Sequence, residues 1–113
     1  MKFLSRPEEL LLHAVWELQE DAYCVSIRKH VSKLTGKTWS FGAIYVPLHR
    51  LEKKGLVKSY LVDPIPVRGG KSRRIYKMTP PGLKALDEVR KLHDSMWTGV
   101  PEFSSEKKAS NES

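Results

Sequence analysis

The side chains that most often carry out covalent chemistry are thinly spread along this sequence. Its 113 residues include four histidines and a single cysteine, Cys24. Cys24 and Ser26 lie near His30 and would act as nucleophile and base only if the fold aligned them, whereas packing within a helix explains the same spacing. The histidines lack the spacing of a zinc site, and Gly69-Gly70 lacks the flanking residues of a phosphate-binding loop. The residues therefore favour a protein that is not an enzyme and uses neither metal nor cofactor.

Electrostatic binding of an anion is the chemistry that the composition does support. Lysine and arginine together number 20 against 13 acidic residues, which gives a formal net charge of +7 and a pI near 9.6. Such an excess on a small chain suggests nucleic acid or an acidic membrane face as the partner. A basic surface without a binding role is the alternative that charge alone leaves open.

One group of basic residues falls on a predicted helix that begins at Ser40 and is closed by Gly55. Its apolar face is predicted at Phe41, Ile44, Leu48 and Leu51, and the only acid of the helix, Glu52, lies nearer that face. Small residues in the first turn let the helix N-terminus approach a phosphate, and Arg50 has the geometry for a bidentate contact with guanine. In this segment we expect DNA contacts from Ser40, Gly42, Ala43, Val46, His49, Arg50, Lys53 and Lys54.

A second group of basic residues lies in a predicted β-hairpin with strands at residues 56–62 and 75–78. No acid occurs between residues 64 and 77, and the glycine pair lets the loop pass close to another backbone. A mobile positive wing of this kind suits contact with DNA phosphates or a minor groove. A solvated loop that protects an edge strand is the alternative. Here we expect DNA contacts from Arg68, Lys71, Arg73 and Arg74.

Two further helices are predicted ahead of the basic helix. The first begins with a capping box at Ser5 and runs to about Gln19. A short extended piece over residues 22–25 separates it from the second helix, which Gly36 ends. The second helix has its apolar face at Ile27, Val31 and Leu34. Pro47 removes one backbone hydrogen bond inside the basic helix and predicts a local bend there.

The last predicted helix is capped by Thr79 and opens with two prolines. The order of elements is then helix, helix, helix, strand, strand, helix. This order predicts an α+β, mainly α, winged helix-turn-helix fold with a three-helix core and a two-stranded wing, although other small α+β domains share it. We expect residues 1–79 to form the winged helix-turn-helix domain, residues 80–98 a C-terminal helix and residues 99–113 a disordered tail.

Two long segments of the sequence are similar to one known family. Residues 42–57, GAIYVPLHRLEKKGLV, closely resemble the recognition-helix segment of PadR-type transcriptional regulators. Residues 68–82, RGGKSRRIYKMTPPG, resemble the wing and the start of the last helix in that family, and the similarity extends over residues 10–92. The resemblance is to the short form with one C-terminal helix. It implies a homodimer that binds double-stranded DNA at a two-fold-related operator and represses nearby genes.

In that family the last helix forms the dimer interface together with the first. This agrees with the apolar stripe along residues 80–98, although part of the stripe packs on the protein's own core. Some members respond to small aromatic molecules held near the interface, and Trp16 and Trp97 are the candidates for such an effector site here, because indoles stack on flat ligands. Burial inside the interface is the alternative for both. The expected interface residues are Leu86, Val89, Leu92, His93, Met96 and Trp97.

The sequence shows no pattern for secretion or membrane insertion. Its N-terminal apolar stretch covers only residues 10–12, and one cysteine allows no internal disulfide. We therefore expect a cytoplasmic protein with no membrane partner. Two rival functions remain: a winged-helix module for protein interaction or assembly, and an RNA-binding module, for which the usual aromatic platform is not apparent. Salt-sensitive, sequence-selective binding to duplex DNA separates the repressor from both.

Overall fold

The computed structural model describes residues 3–62 and 73–103, which form four α-helices and one two-stranded sheet. The helical elements ahead of the sheet are α1 (Arg6–Leu18), a 3₁₀ turn (Gln19–Asp21), α2 (Cys24–Thr35) and α3 (Phe41–Lys53). The sheet and the last helix are β1 (Val57–Val62), β2 (Arg73–Met78) and α4 (Pro80–Trp97). This order confirms the predicted fold, which is mainly helical with a two-stranded wing.

The helices begin where the sequence predicts because their caps are local. The Ser5 hydroxyl accepts from the backbone N–H of Glu8 at 3.3 Å, and the Glu8 carboxylate accepts from the Ser5 N–H at 2.9 Å. Ser40 and Thr79 start α3 and α4, each accepting at 3.1 Å from the N–H of the residue three positions later. Each cap satisfies an N–H that the first helical turn leaves without a partner.

The link between α1 and α2 differs from the predicted extended piece over residues 22–25. Only Ala22 and Tyr23 are extended, and α2 already begins at Cys24. The Ser26 hydroxyl accepts from the Tyr23 N–H at 3.0 Å and so starts the helix ahead of its first buried apolar residue, Ile27. The prediction placed this start too late because it followed apolar spacing alone.

One hydrophobic core lies among α1, α2, α3 and the base of the sheet. Leu34 and Phe41 were both expected on apolar faces, and this expectation is wrong, since they are 55% and 51% exposed. α3 continues without interruption through Pro47, whose ring is buried. The fully or almost fully buried apolar residues are Leu11, Leu12, Ala14, Val15, Ala22, Ile27, Val31, Ile44, Leu48, Leu51, Val57 and Tyr76.

The sheet is attached to the link between α1 and α2. β1 and β2 pair antiparallel along their whole length, with Tyr60 opposite Ile75. The Tyr76 N–H donates to the Ala22 carbonyl at 2.8 Å, which ties β2 to the link between α1 and α2. Tyr76 is almost fully buried there, and burial first, with nearby charges second, raises the pKa of its phenol to about 12. The base of the wing is therefore attached to the helical core by a hydrogen bond and by a buried ring.

α4 starts directly against the connection between α3 and β1. The Thr79 N–H donates to the Leu56 carbonyl at 3.1 Å, and the Thr79 hydroxyl donates to the Gly55 carbonyl at 2.6 Å. Gly55 has φ of +75°, a left-handed conformation that favours glycine. Within residues 3–62 and 73–103, none of the helices has the length and hydropathy to cross a membrane.

A partly buried ion pair joins α1 to the end of α3. Glu8 is only 3% exposed, and its carboxylate lies 2.5 Å from the Lys54 ammonium. Burial alone would raise the pKa of the Glu8 carboxyl, but the hydrogen bonds from Lys54 and Ser5 and the Lys54 charge together lower it. Lys54, which the sequence assigned to DNA contact, thus also pairs with Glu8, and 31% of its side chain remains exposed.

Acid should weaken the fold through Glu8. Its pKa in the folded protein lies below its ordinary value of 4.5, so its contribution to stability is complete above that value and is lost as the pH falls through the lowered pKa. We expect Glu8→Gln to lower the free energy of unfolding by about 1–2 kcal/mol near pH 7. The loss should shrink toward about pH 3, measured by urea unfolding across this range. Glu20→Gln, on the exposed 3₁₀ turn, is the control. If the free energy of unfolding depended on pH in the same way for Glu8→Gln and wild type, the assignment would be contradicted.

Candidate nucleic-acid interface

α3 turns a basic face to solvent opposite its buried side. The predicted contact residues on this face are exposed, except for Ala43, which is half-buried. The only acid of α3 is turned toward the wing: the Glu52 carboxylate accepts from the Ser59 hydroxyl at 2.6 Å, and Arg74 donates to the same hydroxyl oxygen at 2.9 Å. Glu52 therefore binds a residue of the wing and does not offset the positive charge of the exposed face. The exposed predicted residues are Ser40, Gly42, Val46, His49, Arg50, Lys53 and Lys54.

An aromatic pair lies on the same face, and one of its two members, Tyr45, is absent from the predicted set. The exposed Tyr45 ring stacks on His49, with centroids 6.1 Å apart and an interplanar angle of 13°. Beside Val46, this pair adds apolar surface and a phenolic hydroxyl to a cationic helix. The spacing of four residues on the polar side of the helix was the signal that could have identified it.

The described part of the wing presents its two predicted arginines on opposite faces, since neighbouring strand residues alternate. The Arg73 guanidinium lies 4.5 Å from the centroid of the Tyr23 ring, and Arg73 pairs with Val62 at the loop end of the strands. Arg74 faces the α3 side through its bond to Ser59. The other two predicted wing contacts, Arg68 and Lys71, lie outside the described residues.

Two lysines of the wing also lie outside the predicted set. Lys58 and Lys77 are both exposed and stand directly opposite each other in the register of β1 and β2. Like charges in this position destabilise a sheet by a few tenths of a kcal/mol. A phosphate between them would remove that cost. Neither β1 nor β2 contains an acid, so the described strands carry only positive charge.

A third surface is an open groove of about 630 Å³ between α1 and α4. His93 spans the two helices, its Nε2 lying 2.9 Å from the Glu9 carboxylate. Of the expected interface residues, Leu86, Val89 and His93 line the groove. Trp16 also lines it, as does Leu83, which is 45% exposed and was not predicted from the sequence. Three others lie beyond it on α4: the half-buried Leu92 and the exposed Met96 and Trp97.

The two tryptophans proposed for an effector are not brought together within one chain. Trp16 lines the groove, whereas Trp97 is 58% exposed at the end of α4 and is not among the lining residues. They were predicted to act together because both are tryptophans and lie on the first and last helices. The sequence does not show the distance between them.

The nucleophile weighed at residues 24–30 has no catalytic geometry in the structure. Burial raises the pKa of the Cys24 thiol, which makes it less reactive at neutral pH. The Ser26 hydroxyl donates to the Asp21 carbonyl and accepts from Tyr23, so it serves the start of α2. Among the described residues there is also no cluster of three or more potential metal ligands.

The family of the chain follows from comparison with known proteins. The model of the transcriptional regulator PadR-like family matches residues 11–88, well over half of the sequence. This chain belongs to the PadR-like family. It is also 38% identical over 85 residues to the transcriptional regulator Rv3488 of Mycobacterium tuberculosis. That alignment covers 75% of this chain and 65% of the relative, so the chain spans somewhat less than two thirds of that protein.

Solved structures agree with this membership. The PadR-like transcriptional regulator of Bacillus cereus superposes with a TM-score of 0.67 at 27% identity, covering 82% of this chain and 85% of that one. RosR of H. salinarum, at 20% identity and a TM-score of 0.66, covers 97% of this chain and 90% of its own, and it supports the fold alone. The resemblance noted in the sequence is thereby confirmed. The chain is thus a member of a family of transcriptional regulators.

Proposed function

We propose that this PadR-family protein is a homodimeric repressor. Two copies of α3 would enter successive major grooves of a two-fold-related operator, and the wings would hold the flanking backbone. Repression is then steric, because the bound dimer covers the DNA. The observation that carries the proposal is the exposed basic face of α3, whose only acid is directed to Ser59 of the wing.

A second copy of the chain is the occupant that we propose for the α1–α4 groove. The groove exposes Leu83 and Trp16, and the same helix α4 continues into the exposed Met96 and Trp97. Apolar surface of this extent on one side of a small domain favours burial by a partner. A two-fold interface would use the same helices of both protomers, and so both grooves would be covered at once.

We assign the site of an aromatic effector to the same groove, with Trp16 as its stacking residue. The lining is mostly apolar and offers His13, Glu9 and Arg90 as polar groups for orientation. Trp97 joins this site only if the partner protomer supplies it. Binding of flat aromatic compounds, followed through tryptophan fluorescence in wild type and Trp16→Leu, tests the assignment.

The first experiment is selection of genomic DNA by the purified protein. Sheared DNA is captured at low and near-physiological salt and sequenced. Enrichment of a few fragments that share an inverted repeat would support the dimeric repressor and yield the operator. Uniform or absent enrichment would instead favour a protein-interaction module, and preferential capture of RNA would favour the RNA-binding alternative.

Arg50 is the residue that we expect to read a base. Arg50→Ala should weaken operator binding by about 2 kcal/mol, roughly 30-fold, because a bidentate contact to guanine would be lost. Binding to random DNA should change much less. Fluorescence anisotropy with operator and random duplexes at several salt concentrations measures both effects.

The matched control for Arg50 is Lys77→Ala on the wing. It should weaken operator and random DNA alike and reduce the slope of log K against log salt by about 1, as expected for a phosphate contact. Equal losses on both duplexes for Arg50→Ala would remove Arg50 from the reading set.

A further inference from the structure

The turn between α2 and α3 is held by one arginine of α2. Arg28 Nε donates to the backbone carbonyl of Trp39 at 2.5 Å, and the guanidinium carbon lies 4.6 Å from the centroid of the Phe41 ring. Trp39 precedes the α3 cap residue Ser40 and Phe41 follows it. Arg28 therefore contacts the chain on both sides of the point where the recognition helix begins.

Trp39 has a second attachment to α2. Its indole N–H donates to the Thr35 hydroxyl oxygen at 2.9 Å, and the Thr35 hydroxyl donates to the Val31 carbonyl at 2.8 Å. The backbone of Trp39 is thus bonded to Arg28, and its ring is bonded to the last turn of α2. Together these contacts restrict the direction in which the chain enters α3.

Core packing accounts for the position of Trp39, which is partly buried against the core, but not for that of Phe41. Phe41 is half-exposed, so its ring is held in part by the guanidinium above it and not by full burial. Arginine can donate from Nε while its planar group stacks on a ring, whereas lysine has a single nitrogen and no planar group to stack. The two contacts therefore depend on the identity of the residue as well as on its charge.

We infer that Arg28 is a positioning residue that sets the entry angle of α3 and with it the register of the reading face against the bases. Direct readout requires side chains such as Arg50 to meet base edges with hydrogen-bond geometry, which a small tilt of the helix would disturb. Phosphate contacts tolerate such a tilt far better. The inference rests on the proposed function, because it concerns how α3 reads an operator.

The test compares Arg28→Lys, which keeps the charge, with Phe41→Leu, which keeps an apolar side chain. Each should raise the operator Kd roughly tenfold. Arg28→Lys removes the hydrogen bond to Trp39 and the cation–π contact, and Phe41→Leu removes the cation–π contact that orders the guanidinium. The Kd for random DNA and the salt slope should stay at wild-type values. The double variant should be little worse than either single change, because both break the same contact.

An NMR readout follows the turn without DNA. The sequence contains three tryptophans, so the Trp39 indole N–H is one of three such resonances and can be assigned with Trp39→Phe. In Arg28→Lys it should shift and exchange faster with solvent. The matched control is Lys29→Arg on the exposed next position of α2, which should leave both resonance and operator Kd unchanged.

The outcomes separate this inference from the proposed function. Selective DNA binding by the wild type with an unchanged operator Kd for Arg28→Lys would overturn the positioning role alone. The same holds if Arg28→Gln weakens operator and random DNA equally and lowers the salt slope by about 1, since Arg28 would then be a phosphate contact. A wild-type protein that selects no sequence would overturn both proposals.

Discussion

Leu83→Asp should convert the proposed dimer into a monomer and weaken operator binding more than about 100-fold, because two linked half-site contacts would become separate events. Leu83 is 45% exposed in one chain and lines the α1–α4 groove, so the change should cost the monomer little. In a two-fold interface the substitution appears twice, and each short carboxylate would be buried without a partner. Sedimentation equilibrium gives the mass, and anisotropy with the selected duplex gives the affinity.

Lys84→Asp is the control for this prediction. It lies next to Leu83 on α4, is exposed and does not line the groove, and it changes the net charge by more than Leu83→Asp does. It should remain a dimer and bind DNA nearly as the wild type. Dimeric mass for Leu83→Asp would show that the groove is not the interface, and a monomeric wild type would contradict the proposal outright.

Local features of this fold were accessible from the sequence because neighbouring residues determine them. Ser5, Ser40 and Thr79 cap the helices as predicted, since each acts on an N–H three residues away. The exposed side of α3 was also predictable, because one helical period separates its buried and exposed positions. These features were sufficient to predict the fold and most of the basic face.

Contacts between distant residues were not accessible in the same way. In the sequence, Lys54 is simply the next basic residue after α3. Only the fold shows that it contacts Glu8, 46 positions earlier in the chain. The opposition of Lys58 and Lys77 depends on the register of β1 and β2, which the loop sequence did not determine. The residue types alone thus indicated how much positive charge the surface carries. Which basic side chains are paired with other residues depends on tertiary contacts.

The surfaces that we propose for DNA binding and for dimerisation are connected through the start of α4. The residue Leu56 follows α3 and precedes β1, and its carbonyl accepts from Thr79 at the cap of α4. Gly82, in the first turn of α4, lies against the same peptide: a Cβ on Gly82 would be 1.9 Å from the Leu56 carbonyl oxygen and 2.7 Å from the Met78 sulfur. The separation between α4 and α3 therefore depends on the absence of a side chain at position 82.

Gly82→Ala should lower the free energy of unfolding by about 3 kcal/mol, because relief of this clash requires backbone to move and not merely a side chain. Urea unfolding measures the loss. Operator binding should weaken further in the folded fraction, since α4 would shift relative to α3 and alter the spacing of the two recognition helices. For stability, though not for DNA binding, Gly42→Ala is the matched control. Gly42 is also in a first helical turn, and its Cβ would meet only the Ser40 hydroxyl at 4.0 Å, so we expect the change to be neutral or stabilising by up to about 1 kcal/mol. Equal stability of the two variants would mean that α4 docks without needing glycine at position 82, and that the spacing of the reading helices is set elsewhere.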